Sequence, residues 1–148
     1  MKSKTFLLAF ALFMGGCVAT PTKQPVCSGN LLRGCQPVVY FNLNSVYLTP
    51  DTKANLDWAY EKMKRWPEKH MSVVGHTDAY GYPDKNLVLS KKRAQVVKEY
   101  LVNKGINPDR ITTSFKGEME PVCSKTACQE LNRRVEVKIQ TPNSGLGF

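Results

Sequence analysis

The 148-residue sequence has no internal repeat, only two histidines, and no apolar run long enough to cross a bilayer. Without a repeat, an ordinary apolar fraction and this length allow one modest domain with its own core, once short terminal segments are set aside. His70 and His76 have no nucleophile and no third ligand at sensible spacing, which argues against a hydrolase or a metal centre. The cysteines do not fall into the paired C-x-x-C pattern of a zinc site. No catalytic residues, metal or cofactor are therefore expected. Trp58 and Trp66 read as core or helix-end packing and His76 as a satisfied strand-end residue.

Lys2 and Lys4 precede the uncharged apolar run from Thr5 to Met14, the form of a signal peptide covering residues 1–16. It ends in Met14-Gly15-Gly16-Cys17, which resembles the bacterial lipobox and implies acylation of Cys17. An ordinary signal peptide cut at the same small residues would instead leave Cys17 a free thiol. With Cys17 carrying lipid, four of the five cysteines remain, an even number suited to an oxidising compartment. Their spacing proposes disulfides Cys27–Cys35 and Cys123–Cys128, each closing a short loop. One acyl chain gives only marginal membrane binding, so the several chains usual for bacterial lipoproteins would make a durable anchor. Val18 stands where an aspartate often signals inner-membrane retention in such lipoproteins, which favours the outer membrane by resemblance.

The formal charge is +9, and removing the two signal-peptide lysines leaves +7. Secretion argues against nucleic acid as the partner; cell wall or anionic lipid can use the same field outside the cytoplasm. Residues 17–37, rich in Pro, Thr, Gly and Cys, read as a lipidated linker pinched by a disulfide loop. Roughly twenty residues extend at most about 65–70 Å, less once the loop is closed. The domain is expected over residues 38–140 and a disordered tail over 141–148.

Within the domain, Val38–Phe41 fits a first strand, followed by the loop Asn42-Leu43-Asn44-Ser45. Thr49 can cap a helix that starts at Pro50 and stops at Trp66-Pro67. A second strand is expected at about Met71–Gly75 and a second helix from Asp84 to Asn103, with Gly105 as its C-terminal signal. Ile111–Phe115 and Val135–Ile139 read as the last two strands. The order β-α-β-α-β-β predicts an α+β two-layer sandwich: a mixed sheet with both helices packed on one face.

At about 100° per residue, Leu87, Ala94, Val97 and Leu101 of the second helix share one arc with Leu89, Val96 and Tyr100 beside them. Asn86 and Arg93 project between these apolar groups. A guanidinium there must meet a carboxylate or open into a pocket, since an unpaired charge in apolar surroundings is costly. Asp78, in Gly75-His76-Thr77-Asp78 at the end of the second strand, is the nearest sequence candidate. An internal ion pair holding loop to helix and a ligand site both fit those residues.

Gly75-His76-Thr77-Asp78, Gly81, Asn86, Leu89-Ser90, Arg93-Ala94, Tyr100-Leu101, Gly105-Ile106, Arg110-Ile111, Gly117-Glu118, Pro121 and Asn132-Arg133-Arg134-Val135 together resemble the OmpA-like C-terminal domain family. Its lipoprotein members are the peptidoglycan-associated lipoproteins. The resemblance runs from about Val38 to Ile139 and implies binding of the peptidoglycan stem peptide at diaminopimelate, whose side-chain end carries an ammonium and a carboxylate. It places Asp78 on the ammonium and Arg93 forked onto the carboxylate. Thr77, Asn86 and Leu89 would line the pocket, while Arg133 and Arg134 would be either pocket wall or structural ion pairs.

Two positions depart from the pattern. Asn42 and Asn44 stand where members often carry aspartates, and amides can still donate and accept there. Phe115-Lys116-Gly117 replaces a glycine-rich aromatic turn. The resemblance implies a non-enzymatic outer-membrane lipoprotein with its domain in the periplasm, tethering membrane to wall, with a Tol-type periplasmic protein as a further partner. The alternative is a wall-anchoring accessory of a flagellar motor or secretion system; a wall hydrolase ranks below both. Asp78→Ala and Arg93→Ala are each expected to abolish wall binding with the fold intact.

Overall fold

The computed structural model describes residues 36–140. The expected signal peptide, lipid site Cys17, Cys27–Cys35 disulfide and disordered tail over 141–148 all lie outside the described residues. The elements run β1 (Val38–Tyr40), α1 (Pro50–Arg65), β2 (His70–Gly75), α2 (Pro83–Asn103), β3 (Ile111–Phe115) and β4 (Arg134–Gln140). Their order is the expected one, and their ends shift by at most one residue. Among the described residues, no helix is long and apolar enough to cross a membrane.

The four strands form one mixed sheet in the order β1-β4-β2-β3. β4 pairs antiparallel with β1, Val39 opposite Val135, and with β2, Val73 opposite Val137. β2 and β3 pair parallel, Val73 opposite Thr113. The last strand in the chain therefore sits inside the sheet, between the first two.

Both helices begin as their sequences dictate. Thr49 Oγ1 accepts from the Thr52 amide at 3.3 Å, Pro50 occupies the first turn and Asp51 faces the positive helix end. α2 starts at Pro83 with Asp84 in its first turn and stops where Gly105 takes φ of 110°. There the amides of Gly105 and Ile106 donate back to Val102 and Leu101 carbonyls. The two helices bury Leu56, Ala59, Met63, Ala94, Val97 and Leu101 against Val39, Val73, Val135 and Val137 of the sheet. Each of the buried Val, Leu and Met side chains among them contributes about 1.5–3 kcal/mol relative to exposure.

α2 lies very close to β2 because Gly75 has no side chain. A Cβ at Gly75 would come within 2.1 Å of the Ser90 carbonyl oxygen, a backbone atom that cannot step aside. Cys123 and Cys128 are bonded and clip the loop before β4, as their spacing proposed. Asn132, buried beneath that loop, accepts from the Val122 and Cys123 amides and donates to the Cys123 carbonyl.

Candidate ligand-binding site

The strand directions bring three loops to one end of the sheet. β1 and β2 finish there, β4 starts there, and both helices begin there. The loops after β1, after β2 and before β4 therefore meet around the first turns of α1 and α2. Gly117 has φ of 56° and packs its Cα against the Leu87 backbone, so the loop after β3 also lies tight on α2. Its amide donates to Ser90 Oγ and its carbonyl accepts from the Thr77 amide.

Arg93 stands at the centre of this end with 0% of its surface exposed. Its Nε donates to the Ser45 carbonyl at 3.0 Å, Nη1 to His76 at 3.1 Å and Nη2 to Asn42 at 3.1 Å. The Phe41 ring lies 5.2 Å from Cζ, a cation–π contact. Burial lowers its pKa to about 10, a shift that the nearby Asp78 charge opposes, so the guanidinium stays protonated at neutral pH. Of the two alternatives for Arg93, a carboxylate partner or an opening into a pocket, the first is not seen among the described residues. Arg93 instead binds three backbone carbonyls and ties the loop after β1 to the end of β2.

The partner of Asp78 is Arg133, Nη1 to Oδ2 at 3.1 Å, with side chains 19% and 6% exposed respectively. Arg133 Nε also donates to the Phe41 carbonyl. Among the described residues, Oδ1 of Asp78 takes no hydrogen bond. Asn86, buried on the first turns of α2, donates to the Asp78 carbonyl and to Glu118 Oε2. Thr77 is buried with its amide bonded to Gly117, while its hydroxyl has no partner.

Asn42, Thr77, Asp78, Asn86, Arg93 and Arg133 thus form one connected cluster. Two surface recesses flank it. The larger, about 440 Å³, is lined by Tyr40, Asn42, Asn55, Leu131 and Arg133 among others. The smaller, about 350 Å³, is lined by Asn44, Lys85, Val88 and Leu89. Asp78 lines neither and lies behind Arg133, while Asn44 and Leu89 stand apart from the charged cluster. Asn44 adopts φ of 48°, a left-handed turn that asparagine tolerates better than most residues.

Arg134 points away from the cluster. It forks onto Glu136 at 2.9 and 2.7 Å, so of the two alternatives for Arg134 the structure displays the ion pair. His76 is buried beside that pair, but it is not satisfied as expected: both ring nitrogens lack hydrogen-bond partners, and Glu136 is 3.8 Å away. Burial first, then the Arg134 charge, lowers its pKa to about 4, leaving a neutral imidazole at neutral pH. Ser45, Ser90, Gly117 and Glu118 complete the site. Ser90 and Gly117-Glu118 were within the sequence motif without a role, and Ser45 contributes only a carbonyl.

The residues that build this site fall within a wider match. The model of the OmpA family matches residues 40–134. Outer membrane protein A of Bordetella avium is 36% identical over 102 residues, covering 68% of this chain and 53% of that protein. The peptidoglycan-associated lipoprotein of Rhizobium meliloti is 30% identical over 128 residues, 85% of this chain and 70% of that protein. The crystal structure of the peptidoglycan-associated lipoprotein from Burkholderia pseudomallei superposes with a TM-score of 0.67 at 28% identity, covering 70% of this chain and 89% of that one. The chain spans about half the length of the first of these relatives.

Proposed function

The chain belongs to the OmpA family, and on that premise we propose that it is a peptidoglycan-binding module without catalytic activity, anchored by lipid at Cys17 to the outer membrane with its domain in the periplasm. The Cys27–Cys35 disulfide and a periplasmic protein partner belong to the same proposal. What carries it is the Asp78–Arg133 pair: a nearly buried carboxylate with one oxygen held and the other without a donor among the described residues, screened by an arginine that lines a recess.

The diaminopimelate end of a stem peptide carries an ammonium and a carboxylate on one carbon. A zwitterion entering the larger recess meets the Arg133 guanidinium with its carboxylate, and as Arg133 turns from Asp78 to take it, the Asp78 carboxylate behind becomes the partner of the ammonium. One internal ion pair is exchanged for two with the ligand, and the desolvation cost of the protein charges was already met on folding. Asn42 lines the same recess and supplies neutral hydrogen-bonding groups there. Arg93 acts behind this surface, positioning the Asn42–Ser45 loop through three carbonyls. Direct contact of Arg93 with ligand requires that loop to give up its bonds.

Co-sedimentation of the full chain with purified diaminopimelate-type sacculi tests this reading. Wild type pellets; Asp78→Asn and Arg133→Gln stay in the supernatant while retaining wild-type circular dichroism. Pelleting of both variants at wild-type levels would overturn the assignment, and release of soluble wall fragments would replace binding with hydrolysis.

A further inference from the structure

The end of the sheet opposite the site carries a second feature, formed by the C-terminal half of α1 and the turn into β2. Trp58, Lys62 and Trp66 recur at four-residue intervals and so form one stripe along α1. Lys62 Nζ lies 5.0 Å from the Trp58 ring centre and 5.1 Å from that of Trp66. Lys69 caps Trp66 at 4.3 Å, and Arg65 approaches it at 5.9 Å. Lys64 and Arg65 are exposed, and both tryptophans are half-buried, Trp58 resting one side on the core. Glu61 and Glu68 are the acidic residues of the stretch from 61 to 70, against Lys62, Lys64, Arg65 and Lys69.

Basic residues in a last helical turn ordinarily complement the helix dipole. That does not account for this face by itself, because α2 ends at the same end of the sheet with no basic residue in its last turn and only Lys104 at its cap, paired with Asp57. Nor does the dipole call for two indole rings interleaved with the cations. Tryptophan with lysine and arginine at a polar–apolar boundary is the composition that settles at a membrane–water interface, where the rings sit at headgroup depth and the cations meet phosphate.

The direction of the chain supports the same partner. β1 runs toward the ligand site, Val38 opposite Glu136 and Tyr40 opposite Arg134, so the chain enters the domain from the end that bears Trp66. Between Cys17 and Gln36 the chain can extend at most about 65 Å. A domain whose ligand end points away from its entry end presents the other end toward whatever the chain is tethered to.

We propose that the Trp58–Lys62–Trp66 face, with Lys64, Arg65 and Lys69, is a docking surface for an anionic phospholipid bilayer. The orientation it predicts rests on the membrane-tether reading above, but the contact itself does not require the acyl group. Trp58 and Trp66 are the only tryptophans in the chain, so their emission reports this face alone.

The full chain carrying Cys17→Ser, which removes acylation, is mixed with vesicles rich in phosphatidylglycerol or made of phosphatidylcholine alone. On phosphatidylglycerol the protein pellets, its emission shifts to the blue, and brominated acyl chains quench it. The effect weakens as salt rises above about 0.15 M, where the screening length falls below about 8 Å. Lys64→Glu/Arg65→Glu, at two exposed positions, lowers vesicle affinity at least about tenfold, equivalent to about 1.4 kcal/mol. Sacculus retention of this variant stays at the wild-type level, which separates failure here from failure of the wall-binding reading. Pelleting without a change in emission would mean that another segment binds lipid, and would overturn the proposal. So would equal binding by the double variant, equal binding to phosphatidylcholine, or no binding.

Discussion

Arg93 and Arg110 perform the same chemical task at opposite ends of one sheet, each fanning its guanidinium over backbone carbonyls. Arg93 takes those of Asn42, Ser45 and His76. Arg110 takes those of Met63, Trp66 and Lys69, from the last turn of α1 to the turn into β2. Their surroundings differ. Arg110 is half-exposed and water can replace it, whereas Arg93 is sealed between two loops with Asp78 and Arg133 close by. An arginine–carbonyl fan is therefore an ordinary fastening in this fold, and a buried fan beside the Asp78–Arg133 ion pair is what distinguishes the proposed ligand end.

The largest expected effect comes from cutting both fans. Arg93→Met removes a guanidinium with no exposed surface and strands the buried His76 carbonyl, costing about 3–5 kcal/mol, while Arg110→Met costs about 1–2 kcal/mol because water reaches its carbonyls. Urea unfolding of the two variants measures both, and equal losses would erase the distinction between the ends. This replaces the expectation that Arg93→Ala leaves the fold intact; a side chain with no exposed surface cannot be removed without consequence.

Glycines sharpen the contrast next. Gly75→Ala forces a methyl group into the Ser90 carbonyl and is expected to cost about 3 kcal/mol. Gly105→Ala, at the far end, meets no atom within 4 Å and bears only the strain of its positive φ, about 1 kcal/mol. A thermal melt of each variant ranks them.

Acid should loosen the ligand end through His76, which faces Arg134, Glu136, Glu120 and Lys138. Its folded pKa of about 4 lies below the ordinary 6.5, so the unfolded chain binds the extra proton first. The stabilisation is complete above about pH 6.5 and is lost as pH falls toward 4, with a ceiling of about 3 kcal/mol. His76→Leu should flatten the slope of stability against pH across that window; an unchanged slope would assign the acid sensitivity elsewhere.

The smallest effect on the fold relative to the effect on binding is expected at the proposed binding pair. Asp78→Asn keeps a hydrogen bond to Arg133 and should cost about 1–3 kcal/mol, yet it should abolish retention on sacculi. A large loss of stability without loss of retention would make Asp78 a structural residue.

Much of the frame was legible because its signals are local. Thr49-Pro50, Asp84 and Gly105 delimit helices through backbone geometry that neighbouring residues determine. The arc of α2 identified Ala94, Val97 and Leu101 as buried and set Arg93 among them. The arc also showed a charged residue in the wrong place, but not its partners, because carbonyls carry no residue identity. Asp78 and Arg133 are separated by 55 positions, and their pairing depends on how β4 inserts into the sheet. His76 was misread for a related reason: strand-end position predicts backbone bonding, which it has, but says nothing of ring nitrogens enclosed by residues from β4.

The interior position of β4 also governs the order of events as the chain folds. β1 has no neighbour other than β4, and Val38 waits for Glu136 almost a hundred residues later. Such distant pairing slows folding, because a long loop must close before any contact rewards it. Arg133 arrives immediately before the same strand, so the ion pair with Asp78 and the closed sheet form together. A nascent chain lacking its last strand has neither, and folding and the capacity to bind are acquired in a single step.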